Sequence, residues 1–506
     1  LTKRRQTMVS VNTNIASLQS QSALAGTKGE FENSMLRLST GKRINGAADD
    51  AAGLSIANSM TAQIKGLKMA SKNASDGISL ANTVEGALQE TTDILQRMRE
   101  LAVQATSDTN SGNDRVFIQD EINQLNNEVN RVANDTEFNG IKVLNGTFSD
   151  KTLQVGNLGG QTIAFGVENA DNATLGAFQK SSAIESTRHD SATSAAATLD
   201  AALTATADYT VKGFFGTKTA SIDAGADARD VAAAFNLVAS TTGVKATAIT
   251  RARMTAVLAG TYTFTLQGKS STASTVTATL TSNTDLTALK DAINAVSGST
   301  GIDATLTSDK AGINMTNSEG YDIVVGDVTS ATASTELQLR AMQRDGTLDS
   351  TIRSLDADGA SNDSAAILGM VTLSGDKPFT IKPGVATNHF AANANEISST
   401  LSTLGNINLK TVSGATNAIA VIDGALAMVS ASRSKMGAIQ NRLNSTVENL
   451  STIITKTEQS RSRVLDADFA TETTALSKSQ ILSQASTAML AQANQANQGV
   501  LQLLQA

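Results

Sequence analysis

The sequence has no cysteine, no tryptophan and only two histidines in 506 residues. Without cysteine there is no disulfide framework, no Cys-ligated zinc and no thiol nucleophile. Aromatic residues are 3% of the chain, so its core must be assembled mainly from Ala, Leu, Ile and Val, in thin layers over long interfaces. A formal net charge of -7 gives no global source for the counterion-release attraction that nucleic acids exert, which excludes them as partners. No continuous apolar run approaches the ~18 residues of a membrane span, which argues against membrane insertion. Residues 9–24 alternate polar with apolar and offer no hydrophobic region of a cleaved Sec-type signal. If the chain is exported, the route does not read such a signal. Residues 1–7, ahead of Met8, read as an upstream extension.

The scarce chemistry-bearing residues do not assemble into a reactive site. His189 is followed by Asp190 and His389 by Phe390, whereas the HExxH metalloprotease motif needs two histidines one helical turn apart with a glutamate beside the first. Asp356, Asp358 and Gly359 start like a calcium loop, but Ile367 stands where an EF-hand needs its bidentate glutamate. Gly156, Gly159 and Gly160 make neither a dinucleotide fingerprint nor a Walker loop. Asp49 and Asp50 are adjacent acids whose place in a first helical turn is explained by orphan amides and the helix dipole. The chain is therefore read as a non-enzyme with no cofactor and no metal.

What the sequence does carry is helical periodicity at both ends. Leu80, Val84, Ala87, Thr91, Ile94, Met98, Leu101 and Ala105 keep a strict four-three alternation, the pattern of a coiled-coil-like seam. After turn-forming residues at 107–114 the alternation resumes at Ile118, Ile122, Leu125, Val129 and Val132, which predicts an antiparallel helical hairpin. Far away in sequence, Ile422, Leu426, Val429, Met436, Leu443, Val447, Leu450 and Ile454 continue the same phase, interrupted by Arg433 and Gln440. Narrow apolar stripes on three helices are buried most simply against one another, so both chain ends are expected in one bundle. Asn139-Gly140 is a turn signal, and alternation at 153–155 and 163–167 predicts a small β-hairpin beside the helices.

Near Ser181 the composition shifts to Ala, Thr, Ser and Asp, and the seam is lost until about Leu404. Within this insert, Tyr209 to Gly213, residues 230–238 and 243–249 are echoed by Tyr262 to Gly268, 285–296 and 301–306. Each copy reads strand, strand, helix, strand, with Asp230 and Asp285 as helix caps, so the insert is predicted to hold two α+β modules at about 209–255 and 262–316. The predicted fold is mainly α: a long antiparallel coiled-coil-like bundle formed by both termini, a small β-hairpin, and an exposed β-rich insert. Its divisions are terminal helices at 1–49 and 466–506, the bundle with its hairpin at 50–180 and 405–465, and the insert at 181–404.

Ordered strings at both ends are closely similar to the flagellin family. They include Asn12-Thr-Asn14, Leu38-Ser-Thr-Gly41, Arg43-Ile-Asn45, Asp49-Asp-Ala-Ala-Gly53, residues 96–104 and Phe138-Asn-Gly140 near the start, with Ser460-Arg-Ser-Arg463, Asp466-Ala-Asp468, Leu490-Ala-Gln-Ala-Asn494 and 500–504 near the end. Leu36 and Lys42 depart from the family's usual residues, as does the Gln505-Ala506 ending. The resemblance implies a structural subunit that polymerises into an extracellular bacterial flagellar filament, with terminal helices at 9–41 and 466–504 forming its inner tube. Leu482, Ala485, Met489, Ala493, Ala496, Val500 and Leu503 make a stripe too small to order a helix alone, so its partners are expected on neighbouring subunits. The resemblance further implies an export apparatus, an export chaperone, a filament cap and hook-associated proteins as partners. It also implies recognition by the animal Toll-like receptor for flagellin through Arg97, Leu101 and Glu121. Alternatives are a minor flagellin, a hook–filament junction protein, or a filament whose insert adds an adhesin or lectin-like role.

Overall fold

The computed structural model describes residues 13–107, 109–182, 189–192, 206–256, 258–270, 272–330, 336–343, 346–356, 363–384, 390 and 395–505, with the backbone alone at 189–192 and 496–505. The helices run α1 (Ile15–Thr40), α2 (Ala51–Thr106), α3 (Gly112–Asp135), α4 (Ala228–Leu237), α5 (Ala239–Thr242), α6 (Thr287–Ala295), α7 (Ser297–Thr300), α8 (Val412–Leu465) and α9 (Phe469–Gln505). Helices α2 and α8, at 56 and 54 residues, are several times the ~11–12 residues usual in globular proteins. By contacts the chain divides into two compact units: Leu1–Ser79, Thr152–Phe165 and Ile439–Ala506 form one, Leu80–Lys151 and Gly166–Ala438 the other. The division falls inside α2 and α8, where the sequence pattern had placed its boundaries at helix ends.

In the first unit, Leu67, Ala70 and Leu450 form one small core, and Ala74, Ile163 and Leu443 form a second. The hairpin of strands Lys151–Gln154 and Thr162–Phe165 closes over this second core with Leu153 and Val155. Gly77 leaves room for it, because a Cβ there would stand 2.5 Å from Leu153 Cδ1.

In the second unit the α2 seam is wider than the predicted alternation. Leu80, Ile94 and Leu101 form one heptad column, Val84, Thr91, Met98 and Ala105 a second, and Ala81, Leu88, Leu95 and Ala102 a third, all buried. Ala87, assigned to the seam by its spacing, is only half-buried. Two neighbours require two adjoining faces, which is why a stripe of two columns does not suffice. Helix α3 lies antiparallel beside α2: Arg97 pairs with Glu121 at 2.8 Å, and the Arg115 guanidinium donates to Ala105 O at 2.9 Å. Helix α8 is a second antiparallel neighbour, through Arg99–Asp423 at 2.6 Å and Arg433–Glu85 at 2.8 Å. The polar interruption at Arg433 is thus matched by an acid on α2.

By length and composition alone, α8 contains a stretch apolar enough to cross a membrane, a departure from the sequence expectation. Its Ala418, Ile422, Ala425, Val429 and Met436 are buried inside the protein, the composition of a core helix. Asn139 and Gly140, at φ 50° and 75°, make the tight turn between the paired residues Phe138 and Ile141.

Both insert modules fold as strand, strand, helix, strand. The first runs Ala207–Lys212, Thr217–Ile222, α4 with α5, and Val244–Ala256; the second runs Gly260–Gln267, Ser274–Leu280, α6 with α7, and Asp303–Leu306. Tyr209 and Tyr262 are both fully buried. In each copy one helical asparagine clamps the following strand: Asn236 exchanges two hydrogen bonds with the Ala246 backbone, and Asn294 does the same with Ala304. The caps differ from the predicted ones. Asp227, not Asp230, caps α4 by accepting from the Asp230 amide; α6 starts without a side-chain cap, and Asp285 accepts from the Thr287 amide. Aspartate three residues into a helix and aspartate before it read alike in sequence, and only the backbone dihedrals separate them.

The 13-residue strand Val244–Ala256 joins the modules, pairing with Met370–Gly375 along its first half and with Ile313–Asn317 and Glu336–Ala341 along its second. The strand Gly176–Ser181 pairs with Met370–Gly375 and Thr400–Thr403, so this sheet begins before residue 181. Replacing Asn294 by Ala strands the Ala304 amide and carbonyl, and should cost about 1–3 kcal/mol in urea unfolding of the full chain. Unchanged stability would show that the clamp holds nothing.

Candidate assembly surface

Helix α1 is started by Asn14, whose Oδ1 accepts from the Ser17 amide at 2.9 Å, and ends at Gly41 in the left-handed conformation at φ 68°. Helix α9 is started by Asp468, which accepts from the Ala470 amide at 2.9 Å and the Thr471 hydroxyl at 3.0 Å. The two run antiparallel. The Asn14 side-chain amide donates to Ala493 O at 3.1 Å near one end, and Arg37 pairs with Glu472 at 3.2 Å near the other.

The face each helix turns inward holds only part of its apolar residues. On α1 the buried or half-buried positions include the heptad series Ser17, Ser20, Leu24, Thr27, Phe31, Ser34 and Leu38, with Gly29 and Arg37 beside it; on α9 they include Glu472, Leu476, Ser479, Ser483, Ser486, Leu490 and Ala493, with Thr473 and Ala475 beside them. Both sets follow the heptad spacing, but serine supplies most of the small positions, so the backbones can approach with little apolar area removed from water. Other large apolar side chains point outward: Ile15 is 61% exposed, Leu18 56%, Met35 51%, Phe469 70%, Ile481 65% and Met489 64%. Leu482 is 38% exposed, so within the chain the predicted Leu482–Met489 stripe is not the surface that meets α1. The side chains of Val500 and Leu503 lie outside the described residues.

The turns beside these helices are stitched by backbone. The Arg43 amide donates to Leu465 O at 2.6 Å, the Ala467 amide to Gly41 O at 3.0 Å, and the Arg43 guanidinium to Val464 O at 2.7 Å. Ile44 is buried at this junction. Asp49 accepts from the Asn45 and Gly46 amides, which hold its carboxyl below the usual carboxylate range, while Asp50 accepts from the Gly53 amide. Turn and cap geometry account for both carboxylates. Ile367 is buried in a strand and paired with Ile323, an unsuitable place for a calcium ligand; His389, Asp358 and Gly359 lie outside the described residues.

The remaining seam residues sort by burial. Leu80, Val84, Ile94, Met98, Leu101, Ile118, Ile122, Val129, Ile422, Val429, Met436, Leu443 and Leu450 are buried, and Leu125, Leu426 and Val447 are half-buried. Arg97 and Glu121 are exposed, and Glu100 also pairs with Arg97, at 3.1 Å. Leu101 is 2% exposed, so in the folded chain it is a seam residue and not part of that charged surface. The spacing missed two polar members of the interior: Asn126 donates to Leu404 O at 3.0 Å, and Gln119 accepts from the Leu409 amide at 2.6 Å. They are seven residues apart, the one signal that could have placed them on an inner column.

Comparison with known proteins matches residues 11–149 to the bacterial flagellin N-terminal helical region, 419–504 to the bacterial flagellin C-terminal helical region, and 263–319 to the flagellin hook IN motif. B-type flagellin of Pseudomonas aeruginosa is 36% identical over 496 residues, 98% of this chain and 99% of its own. Flagellin D of Vibrio cholerae is 33% identical over 498 residues, with 98% and 99% covered. A solved structure of FliC from Burkholderia pseudomallei aligns at 18% identity over 72% of this chain and 99% of that one, with a TM-score of 0.28.

The Asp468 cap sets a pH dependence. Hydrogen bonds from the Thr471 hydroxyl and then the Ala470 and Thr471 amides lower its pKa from 3.8, so the cap contributes above the unfolded value and is lost as pH falls through the folded one. Circular dichroism between about pH 5 and pH 2 should show a loss of helicity in that window, with its low-pH edge displaced in Asp468→Asn. Identical titrations for the two proteins would remove Asp468 from the account.

Proposed function

The chain belongs to the bacterial flagellin family and is a structural subunit of the extracellular flagellar filament, and from that premise we propose that the outward face of the α1–α9 pair is where subunits join. The observation that supports this reading is the row of large apolar residues left in solvent, Ile15, Leu18, Met35, Phe469, Ile481 and Met489, beside a seam in which serine alternates with leucine. Burying each such side chain is worth about 1.5–3 kcal/mol. Neighbouring copies of the same pair are the nearest apolar surface once polymerisation starts. A head-to-tail contact that does not close into a ring yields an open helical filament. The α1–α9 pair gains little from its own seam, so its ordering is coupled to addition at the growing tip. Export apparatus, export chaperone, filament cap and hook-associated proteins are the partners we assign from family membership. A minor flagellin or junction protein fits the same architecture, but full-length similarity to filament flagellins favours the filament subunit.

Deleting residues 492–506 should leave a soluble, mostly helical monomer that cannot add to flagellin seeds. The milder Ile481→Ser with Met489→Ser should leave monomer unfolding within about 0.5 kcal/mol of the parent while raising the protein concentration needed for growth on seeds. Normal polymerisation of both variants would overturn the assignment.

We also assign the exposed group of Arg97, Glu100 and Glu121 to recognition of the monomer by the animal Toll-like receptor, with Leu101 supporting the helix from behind. Arg97→Ala should then reduce receptor signalling without altering helicity. Leu101→Ala should act chiefly by destabilising the bundle, by about 2–5 kcal/mol. Undiminished signalling by Arg97→Ala would sink this reading.

A further inference from the structure

A cavity of about 900 Å³ lies in the second unit, where the joining strand Val244–Ala256 passes the starts of α3 and α8. Strand alternation sends Ala252 and Met254 into the insert core, both fully buried, and leaves Arg251 and Arg253 on the opposite face. Arg251, Arg253, Arg115 and Lys410 line the cavity, against the carboxylates Asp303 and Asp309. Residues Gly112 and Val412, the first of α3 and α8, line it as well.

Three features concentrate positive charge at this cavity beyond what Asp303 and Asp309 balance. Arg253 stands directly opposite Arg340 in the neighbouring strand, and like charges in register repel. The start of a helix carries partial positive charge, yet Arg115 and Lys410 sit at two such starts. The single acid in the α3 first turn, Asp114, is engaged by Ser111, and the α8 first turn has none. Burial is also severe at Arg251, 7% exposed, and pushes its guanidinium down to about 10. Burial lowers Arg253 too, Asp309 pulls against it, and the nearness of Arg340 adds a smaller lowering. Guanidinium still stays protonated at neutral pH, so deprotonation cannot relieve the excess.

Part of the cluster is structural. Arg115 donates to the Ala105 and Ser107 carbonyls, and Arg253 spends its Nε on Asn314 Oδ1 at 2.9 Å. That bond leaves the two terminal amino groups of Arg253, the fork that grips a tetrahedral oxyanion bidentately. At the start of α8 the Gly414 amide already donates to the Thr411 hydroxyl at 3.0 Å, so the helix contributes there through its dipole.

We propose that this cavity binds a multivalent oxyanion, a phosphate or sulfate group, held by Arg253, Arg251 and Lys410 at the start of α8. The group can be carried free or as an ester on a small saccharide, since the volume exceeds that of an inorganic ion. The proposal is independent of polymerisation, because it concerns residues of one chain.

The test is isothermal titration of full-length monomer with inorganic phosphate and with a sulfated disaccharide, ionic strength being held constant with sodium chloride. One saturable site per chain is expected. Arg253→Gln should weaken it at least tenfold. Lys269→Gln, which removes an exposed lysine paired with Glu319 outside the cavity, should leave it unchanged. Asp309→Asn should tighten it, an outcome that damage to the fold would not produce. Tighter binding of the disaccharide identifies the ester as the carrier, and equal binding identifies the free ion. A weak, unsaturable response alike in all four proteins, an adventitious ion only, overturns the proposal. So does failure of Asp309→Asn to tighten binding.

Discussion

Two long helices whose shared seam alternates serine with leucine, and which turn isoleucine and methionine toward water, leave much of their apolar area outside their own contact. The hydrophobic contribution scales with apolar area removed from solvent, and the seam of Ser17, Ser34, Ser479 and Ser486 removes little. Within one chain the α1–α9 pair adds polar contacts at its two ends to that seam, the Arg37–Glu472 ion pair and the Asn14 bond to Ala493. Such contacts fix register more than they supply stability. A subunit that must travel as a monomer and hold fast in a filament is served by this division. Register is settled within the chain, and on the assembly proposed above the exposed apolar residues are covered by neighbouring subunits.

The rest of the molecule holds its shape without that help. In the second unit α2 presents three heptad columns, enough for two neighbours at once, and several polar residues of the bundle find partners. Arg433 meets Glu85, Asn126 meets the Leu404 carbonyl, and Gln119 meets the Leu409 amide. The insert has its own cores, one around Tyr209, Phe235 and Phe390, the other around Tyr262, Phe264 and Ile293. With so few aromatic residues available, placing the buried tyrosines at one position of both modules concentrates large apolar area where small sheets need it. The asparagine clamps then fix each helix against its next strand without further apolar surface.

Charge is distributed by a different logic. Most ion pairs join exposed side chains and add modestly to stability, whereas the arginines of the joining strand are withdrawn from water beside helix starts of the same sign. A fold under no other constraint would place acids there. The Arg251–Arg253 face is accordingly where we place the proposed oxyanion.

Periodicity was legible in the sequence because it is local. A four-three spacing of Leu80 to Ala105, a turn at Asn139-Gly140 and a strand–strand–helix–strand order repeated at Tyr209 and Tyr262 each depend on a few neighbouring residues. They determined the helical ends, the hairpin and the two-part insert. The third column of Ala81, Leu88, Leu95 and Ala102 was not legible, since a stripe's width depends on how many partners a helix meets. Nor was the inward turn of serine on α9: its apolar stripe at Leu482 and Met489 names a face that wants covering, and hydrophobicity is indifferent to whether the cover is the same chain or the next. The cap at Asp227 and the meeting of Arg251, Arg253, Arg115 and Lys410 across 295 positions likewise exist only once the backbone is in place. Spacing along a chain encodes which faces are apolar, and tertiary structure alone decides what each face is set against.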